Sequence, residues 1–253
     1  MIDTHCHLSK KFYKNINEIV NHMDGIMIIS GCNMESNKEV LKIVNNYKNV
    51  YGTLGIHPSE IQDFKQESLD FIEKNLTNKK IVAIGEIGLD YHFEKDNKDL
   101  QKKWFINQIK LANKYNKPIV VHSRDAINDT YKILKQESKT KKVLHCYSSS
   151  LEMAYEFIKL NCLLGIGGVI TFKNNEKLKK VVKNIDLKYL LLETDSPYMA
   201  PVPLRGTINE PCNIKYVAQK ISEIKNISYS EVIKQTTNNA KKIFDLGDNN
   251  GKF

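Results

Sequence analysis

The chain begins with the segment Met1-Ile-Asp-Thr-His-Cys-His7, in which one residue separates two histidines. In a β-strand alternate side chains point to the same face, so His5 and His7 would share a face with Asp3 behind them. Two imidazoles side by side on one strand can bind one metal ion. The pair also fits two hydrogen-bonded structural histidines, and this segment alone does not separate the two interpretations.

More polar residues follow short apolar segments along the whole chain. Of the seven histidines, five occupy such positions, whereas His22 and His92 do not. Charged groups at the ends of buried strands are costly unless they are paired or coordinated. Six residues of this kind predict a centre for divalent cations: His5, His7, Glu86, His122, His145 and Asp195. Six donors exceed the four of a single zinc site, so we expect two cations with Glu86 bridging them.

The elements that carry these residues alternate between short apolar segments and longer amphipathic ones. The predicted strands are Met1–His7, Gly25–Ser30, Val50–Ile56, Lys80–Ile87, Pro118–His122, Lys142–His145, Cys162–Ile166 and Tyr189–Glu193. The predicted helices are Phe12–Met23, Asn37–Tyr47, Ser68–Leu76, Leu100–Tyr115, Asp125–Gln136, Leu151–Leu160, Glu176–Asn184, Asn213–Lys225 and Ser228–Phe244, the last with a capping box of Ser228 and Glu231.

Eight such units predict an α/β protein with a (β/α)₈ barrel, and a doubly wound open sheet is the alternative. No linker interrupts residues 1–253, which predicts one domain with a frayed tail at about 247–253. In a barrel, functional residues lie at the carboxyl ends of the strands, which is where the six candidate ligands fall.

Composition narrows the function classes. Apolar residues make up 41% and charged residues 26%, which is ordinary for a globular protein. We find neither an apolar run of about 20 residues nor a signal peptide, so we expect a cytoplasmic protein without a membrane partner. Five cysteines without a Cys-x-x-Cys pair predict no disulfide framework.

The basic residues are unevenly divided between lysine and arginine. The net charge is +9, which suits a polyanionic partner but also fits a chain that is rich in lysine throughout. Only Arg124 and Arg205 of the 38 basic residues are arginine. Because a guanidinium group binds phosphate in bidentate fashion, both are candidate phosphate ligands. The alternative is a structural ion pair with Asp125 or Glu210.

Five motifs, in order along the chain, resemble the TatD family of metal-dependent deoxyribonucleases. They are Asp3-Thr-His-Cys-His7, Gly55-Ile-His-Pro58, Gly85-Glu-Ile-Gly-Leu-Asp-Tyr91, His122-Ser-Arg-Asp-Ala126 and Leu192-Glu-Thr-Asp-Ser-Pro-Tyr198. The resemblance implies a (β/α)₈ barrel that hydrolyses DNA with two divalent cations (Mg²⁺, Mn²⁺ or Zn²⁺) and the same six ligands. Thr207 and Ile208 replace two basic residues that the family carries before Asn-Glu-Pro.

The expected chemistry is attack of an activated water on phosphorus. We assign Asp195 and Glu86 as catalytic residues, with Asp195 as the general base. Glu193 would orient a ligand, with a salt bridge inside the barrel as the alternative, and Asp90, with Tyr91, would brace the site. His57, like the two arginines, is expected to contact DNA.

Two other functions remain open from the sequence. The first is a hydrolase of a different ester or of a C–N bond on the same barrel. The second is a non-catalytic nucleic-acid-binding protein, which leaves six metal-ligand types without a role. We expect a monomer.

Overall fold

The computed structural model describes residues 1–92 and 96–247, and in them eight parallel strands form one sheet. The strands are β1 (Ile2–Cys6), β2 (Ile26–Ser30), β3 (Val50–Leu54), β4 (Ile81–Asp90), β5 (Ile119–Arg124), β6 (Lys142–Leu144), β7 (Cys162–Ile166) and β8 (Leu190–Leu192). They follow one another around the sheet in chain order. A doubly wound sheet reverses its strand order, so the (β/α)₈ barrel is confirmed and the open-sheet alternative is wrong.

The barrel closes where β1 meets β8, and side chains make much of this closure. Thr4 Oγ1 donates to the carbonyl of Leu192 at 2.9 Å. The Asp3 carboxylate accepts from the backbone N–H of Thr194 at 3.0 Å and from its hydroxyl at 2.6 Å. We call this junction the β1–β8 seam. Asp3 is fully buried, and burial, partly offset by the Thr194 hydrogen bonds, raises its pKa to about 8.

Helices surround the sheet and alternate with its strands. They are α1 (Ile16–His22), α2 (Met34–Asn46), α3 (Gln66–Asn75), α4 (Lys98–Tyr115), α5 (Ile127–Glu137), α6 (Leu151–Lys159), α7 (Glu176–Asn184), α8 (Ile214–Lys225) and α9 (Tyr229–Phe244). Short 3₁₀ helices span Pro58–Asp63, Gly168–Thr171, Leu187–Tyr189 and Pro211–Asn213. No helix among the described residues is both long and apolar enough to cross a membrane.

The predicted start of the first helix was wrong by four residues. Phe12 and Tyr13 lie in a turn that begins at Ser9, and both of their backbone N–H groups donate to the Ser9 carbonyl. The helix begins after Asn15, whose side chain accepts from the backbone of Glu18. Asn is a strong N-cap because its side-chain oxygen satisfies an N–H group that the first turn leaves free.

The carboxyl-terminal helix closes the amino-terminal end of the barrel. Ile243, Phe244 and Leu246 pack with barrel residues such as Ile28 and Leu191 in one buried cluster. Ser228 caps this helix by accepting from the backbone of Glu231, which is the Ser228 half of the predicted capping box. Residue 247 is described and exposed, whereas residues 248–253 of the predicted frayed tail lie outside the described part of the chain.

Candidate metal centre

Glu86, in the second half of β4, lies at the centre of the candidate site. Its side chain is 5% exposed, and imidazole nitrogens approach both of its carboxylate oxygens. Oε2 lies 3.4 Å from Nε2 of His5 and 3.8 Å from Nε2 of His7. Oε1 lies 3.0 Å from both Nδ1 of His122 and Nε2 of His145. One carboxylate therefore divides four histidines into two pairs.

The first pair belongs to what we call the β1–β8 side, which comprises His5, His7 and Asp195. The Nε2 atoms of the two histidines are 3.2 Å apart, so alternation along β1 directs both rings to one point as predicted. Asp195, just after β8, places Oδ1 3.7 Å from Nε2 of His5 and 3.5 Å from Nε2 of His7. Its backbone N–H donates to the carbonyl of His5 at 2.9 Å, which couples this residue to β1.

The second pair, His122 and His145, forms the β5–β6 side. His122 lies on β5, and its ring nitrogen Nδ1 faces the carboxylate of Glu86. His145 follows β6 directly, and its backbone N–H donates to the carbonyl of Val121 at 3.0 Å. The ring of His145 also stacks on His5 with the centroids 3.9 Å apart, so the two sides are in contact.

Neutral oxygens face the outer nitrogens of the histidines on the β1–β8 side. Nδ1 of His5 is 3.1 Å from the Ser30 hydroxyl, and Nδ1 of His7 is 3.0 Å from the Ser30 carbonyl oxygen. Thr53 in turn donates to the Ser30 hydroxyl at 3.1 Å. One serine at the end of β2 thereby orients both rings.

Carboxylates face the outer nitrogens on the β5–β6 side. Nε2 of His122 lies 3.1 Å from Asp90 Oδ2, and Nδ1 of His145 lies 3.4 Å from Glu193 Oε1. Glu193 is fully buried, and its Oε1 also accepts from the backbone N–H of Cys146 at 2.6 Å. A Cβ atom on Gly165 would lie 2.0 Å from Glu193 Oε2, so only glycine leaves space for this carboxylate.

Mutual electrostatics keep the two acids of the centre ionised. Burial opposes the ionised form of Glu86, but the nearby imidazoles, chiefly His145, outweigh it and hold its pKa well below the usual range. Burial likewise opposes ionisation of Asp195, but the hydrogen bond from His7 and the nearby His145 lower its pKa. Both carboxylates are therefore charged at neutral pH and suited to bind cations.

The donors fit a centre for divalent cations. Three overlapping groups have ligand atoms within 4.8 Å of one another: His5, His145 and Asp195; His5, His7 and Glu86; His57, Glu86 and His122. Imidazoles and carboxylates directed at one another form a donor set that suits divalent cations. The structure thus brings all six predicted ligands together.

His57, predicted to contact substrate, lies within this cluster. Its Nε2 is 3.6 Å from Glu86 Oε1, and its Nδ1 is within 2.8 Å of the Ser59 hydroxyl. Burial lowers the pKa of His57 to about 3, partly offset by Glu86, so the ring is neutral and can act as a ligand. Its role toward DNA stays a prediction, but its position gives the centre a seventh possible donor.

The remaining predicted residues lie around the centre. Arg205 is exposed, and its guanidinium carbon stacks 4.1 Å above the ring of Phe172. Glu210, the alternative partner for Arg205, lies instead 3.5 Å from His22. Arg124 is exposed at the end of β5. The hydroxyl of Tyr91 donates to Asp129 at 2.9 Å, which directs it toward α5.

Sequence reasoning missed residues at the end of β2 and on the loop after β8. Ser30 and Cys32 were not predicted as site residues, because the end of β2 carries neither a histidine nor an acidic residue. Tyr198, 50% exposed, forms edge-to-face contacts with the rings of His7 and Phe12, with centroids 6.1 and 5.6 Å apart. The position of Tyr198 three residues after Asp195 is the sequence signal that could have identified it.

Comparisons with known proteins identify the family of the chain. A family model described as TatD related DNase matches residues 2–245. Over 253 aligned residues, the chain is 39% identical to a protein of Bacillus subtilis called uncharacterized metal-dependent hydrolase YabD, which covers 97% of this chain and 99% of that protein. An uncharacterized metal-dependent hydrolase of Methanocaldococcus jannaschii is 37% identical over 96% of each chain.

Two solved structures share the fold closely. The crystal structure of YJJV, a TatD homologue from Escherichia coli, superposes with a TM-score of 0.90 at 30% identity over 98% of both chains. A TatD family hydrolase from Entamoeba histolytica has a TM-score of 0.85 at 25% identity, and the match covers 96% of this chain and 97% of that one.

Proposed function

This chain belongs to the TatD-related DNase family of metal-dependent hydrolases, and we propose that it hydrolyses phosphodiester bonds in DNA with two divalent cations. The observation that carries the proposal is that the two carboxylate oxygens of Glu86 face different pairs of histidines. Its Oε2 faces His5 and His7, whereas its Oε1 faces His122 and His145. A carboxylate with both oxygens so placed is suited to bridge two cations, and Asp195 completes the β1–β8 side.

Phosphodiester hydrolysis would use the following residues of the chain. When bound, the cations would lower the pKa of water and stabilise the charge that develops on the phosphate oxygens. Asp195, ionised and with a side chain 13% exposed, accepts the proton of the attacking water. Asp90, Glu193 and Ser30 hold the rings of the histidines in fixed orientations.

Surface groups near the centre support a nucleic acid as the substrate. The guanidinium of Arg205 is preoriented on Phe172 and offers a planar fork to a phosphate. Tyr198 presents half of its surface beside His7, where a nucleobase could stack. The net charge of +9 attracts a polyanion. Ile208 lies in the same loop as Arg205 and is 54% exposed. It supplies apolar surface where the family has a basic residue.

The deciding experiment compares substrates and metals in one assay. Metal-free protein is given Mg²⁺, Mn²⁺ or Zn²⁺ and then single-stranded DNA, duplex DNA, RNA or a small phosphodiester. We expect DNA to be cleaved only with added metal, and we expect the Asp195→Asn variant, purified identically, to be inactive with an unchanged circular dichroism spectrum. Turnover of carboxylic esters or amides without cleavage of any phosphodiester would instead support the alternative hydrolase on the same barrel.

A further inference from the structure

Cys32, two residues beyond β2, places its sulfur against the candidate metal centre. Its Sγ is 3.7 Å from Glu86 Oε2, the oxygen that faces the β1–β8 side. The same sulfur is 3.8 Å from Nδ1 of His7, the outer nitrogen of that ring, so it approaches the centre from the side of Ser30 and Glu86. Cys32 is half-buried and so lies at the wall of the site, in contact with two residues that we assign as ligands. The mechanism proposed above gives it no role.

Hydrogen bonds hold the main chain of Cys32 on both sides. Its N–H donates to the Ser36 hydroxyl at 2.8 Å, which ties it to the first turn of α2. Its carbonyl accepts from the backbone N–H of His57 at 2.8 Å, which ties it to the loop after β3. With the backbone fixed in this way, the sulfur moves mainly by rotation about one bond, and that rotation takes place beside Glu86.

The environment of Cys32 differs from those of Cys6, Cys162 and Cys212. Cys6 lies on the same strand as the two histidines but is fully buried, with its sulfur 3.7 Å from the carbonyl of Ile28. Cys162 is buried at the start of β7. Cys212 is half-buried, and its sulfur contacts Glu210 at 3.7 Å and Asn213 at 3.9 Å. Cys32 is therefore a thiol that combines partial exposure with contact to both a candidate imidazole ligand and Glu86.

Sulfur changes which cations a mixed nitrogen and oxygen site prefers. Imidazole and carboxylate donors alone accept Mg²⁺, Mn²⁺ and Zn²⁺, whereas a thiolate favours Zn²⁺ and Co²⁺ and contributes little to Mg²⁺. We propose that Cys32 is a soft donor on the β1–β8 side that raises the affinity of this centre for Zn²⁺ and Co²⁺ relative to Mg²⁺. This inference rests on the metal centre proposed above. On binding, the S–H bond breaks, a sulfur–metal bond forms, and the proton passes to solvent.

Cobalt absorption tests the sulfur bond independently of activity. Co²⁺ is titrated into metal-free protein, where ligand-field bands in the visible report binding and a sulfur-to-cobalt charge-transfer band in the near ultraviolet reports thiolate ligation. We expect both signals in the wild type. Cys32→Ser should keep the visible bands and lose the charge-transfer band, while Cys212→Ser, a control at a half-buried cysteine beside Glu210, should keep both.

Calorimetry measures the selectivity itself. Because Cys32→Ser replaces sulfur by oxygen at nearly constant size, we expect Zn²⁺ affinity to fall by about tenfold or more while Mg²⁺ affinity is unchanged. Thermal melts of the metal-free proteins check that the variant folds. An equal loss of affinity for both cations would show that Cys32 acts on the shape of the site and not as a soft donor.

The outcomes separate this inference from the proposed function. Visible cobalt bands without charge transfer in the wild type would overturn the role of Cys32 and leave the metal centre standing. Absence of the visible bands would overturn the metal centre itself. A charge-transfer band that survives Cys32→Ser but disappears in Cys146→Ser would assign the sulfur to the residue after His145, and our assignment would be wrong.

Discussion

On the β5–β6 side of Glu86, two histidines lie at strand ends joined by a regular parallel ladder, and a carboxylate faces the outer nitrogen of each ring. On the β1–β8 side, side-chain hydrogen bonds of Asp3 and Thr4 help to close the sheet, and the neutral oxygens of Ser30 face the rings. A carboxylate behind an imidazole raises its basicity as a ligand. The histidines of the two sides therefore differ in basicity, and we expect metal binding by those of the β5–β6 side to depend more strongly on the groups behind the rings.

The largest effect should come from the residue that both sides share. Glu86→Gln keeps the shape but removes the bridging charge, so we expect loss of metal from both sides and a fall in kcat of about a thousandfold or more. Metal content by mass spectrometry and turnover of DNA measure the two effects. Retention of two equivalents of metal by this variant would show that Glu86 does not bridge.

Paired substitutions on each side test whether the sides are separate. We expect His5→Asn with His7→Asn to lose one metal equivalent, and His122→Asn with His145→Asn to lose the other, because each pair faces a different oxygen of Glu86. Both variants should be nearly inactive but should retain one equivalent by mass spectrometry. Loss of both metal equivalents in either double variant would show that the two sides do not bind cations separately.

The groups behind the rings should have a smaller, graded effect. Replacing the carboxylate in Asp90→Asn should weaken metal binding by about ten- to a hundredfold. Ser30→Ala removes only the hydroxyl, since the Ser30 carbonyl still faces His7, so its effect should be less than tenfold. Calorimetric titration of the two variants side by side gives the ratio. Equal effects would mean that the carboxylates give the β5–β6 side no advantage.

The last prediction concerns folding stability and not metal binding, through the pH dependence at the β1–β8 seam. The pKa of Asp3 is about 8 in the folded protein against about 4 in the unfolded chain. Between these values the folded state holds the extra proton, so this residue makes the unfolding free energy fall as pH rises, by at most about 1.4 kcal/mol per pH unit.

Asp3→Asn should remove that contribution. Urea denaturation of metal-free protein at a series of pH values from 5 to 8 measures the slopes, and the variant should show a flatter curve than the wild type. A double substitution, Asp3→Asn with Thr194→Val, controls for the loss of the hydrogen bonds themselves. Parallel curves for wild type and Asp3→Asn would show that the carboxylate stays ionised in the seam.

Much of this architecture can be predicted from the sequence, because strands and strand ends are marked by residues that are neighbours in the chain. A buried parallel strand is an apolar run, and His122 or His145 after such a run predicts its own place at the carboxyl end of the barrel. Alternation along β1 likewise predicted that His5 and His7 share a face. The fold and the convergence of all six candidate ligands followed from these patterns, while their roles toward metal remain proposals.

The features that were not predicted depend on contacts between residues that are distant in the chain or carry no charge. The hydrogen bonds from Thr194 to Asp3 join residues 191 positions apart, and no periodicity records such a pair. Ser30 and Cys32 carry no charge, so their place beside the centre follows only from the register of β2 against its neighbours. The early start predicted for α1 failed for a local reason, because apolar residues at helical spacing do not outweigh the cap at Asn15.

The β1–β8 seam also sets the order of events during synthesis. His5 and His7 leave the ribosome before Asp195, which follows roughly 190 residues later, or roughly ten to forty seconds at usual rates of translation. Until then the pair lacks Asp195 and the contacts with β8, although β2 and Ser30 have already been made. A chain that stops before β8 therefore cannot complete the centre, and loading of the β1–β8 side with metal has to follow translation of Asp195.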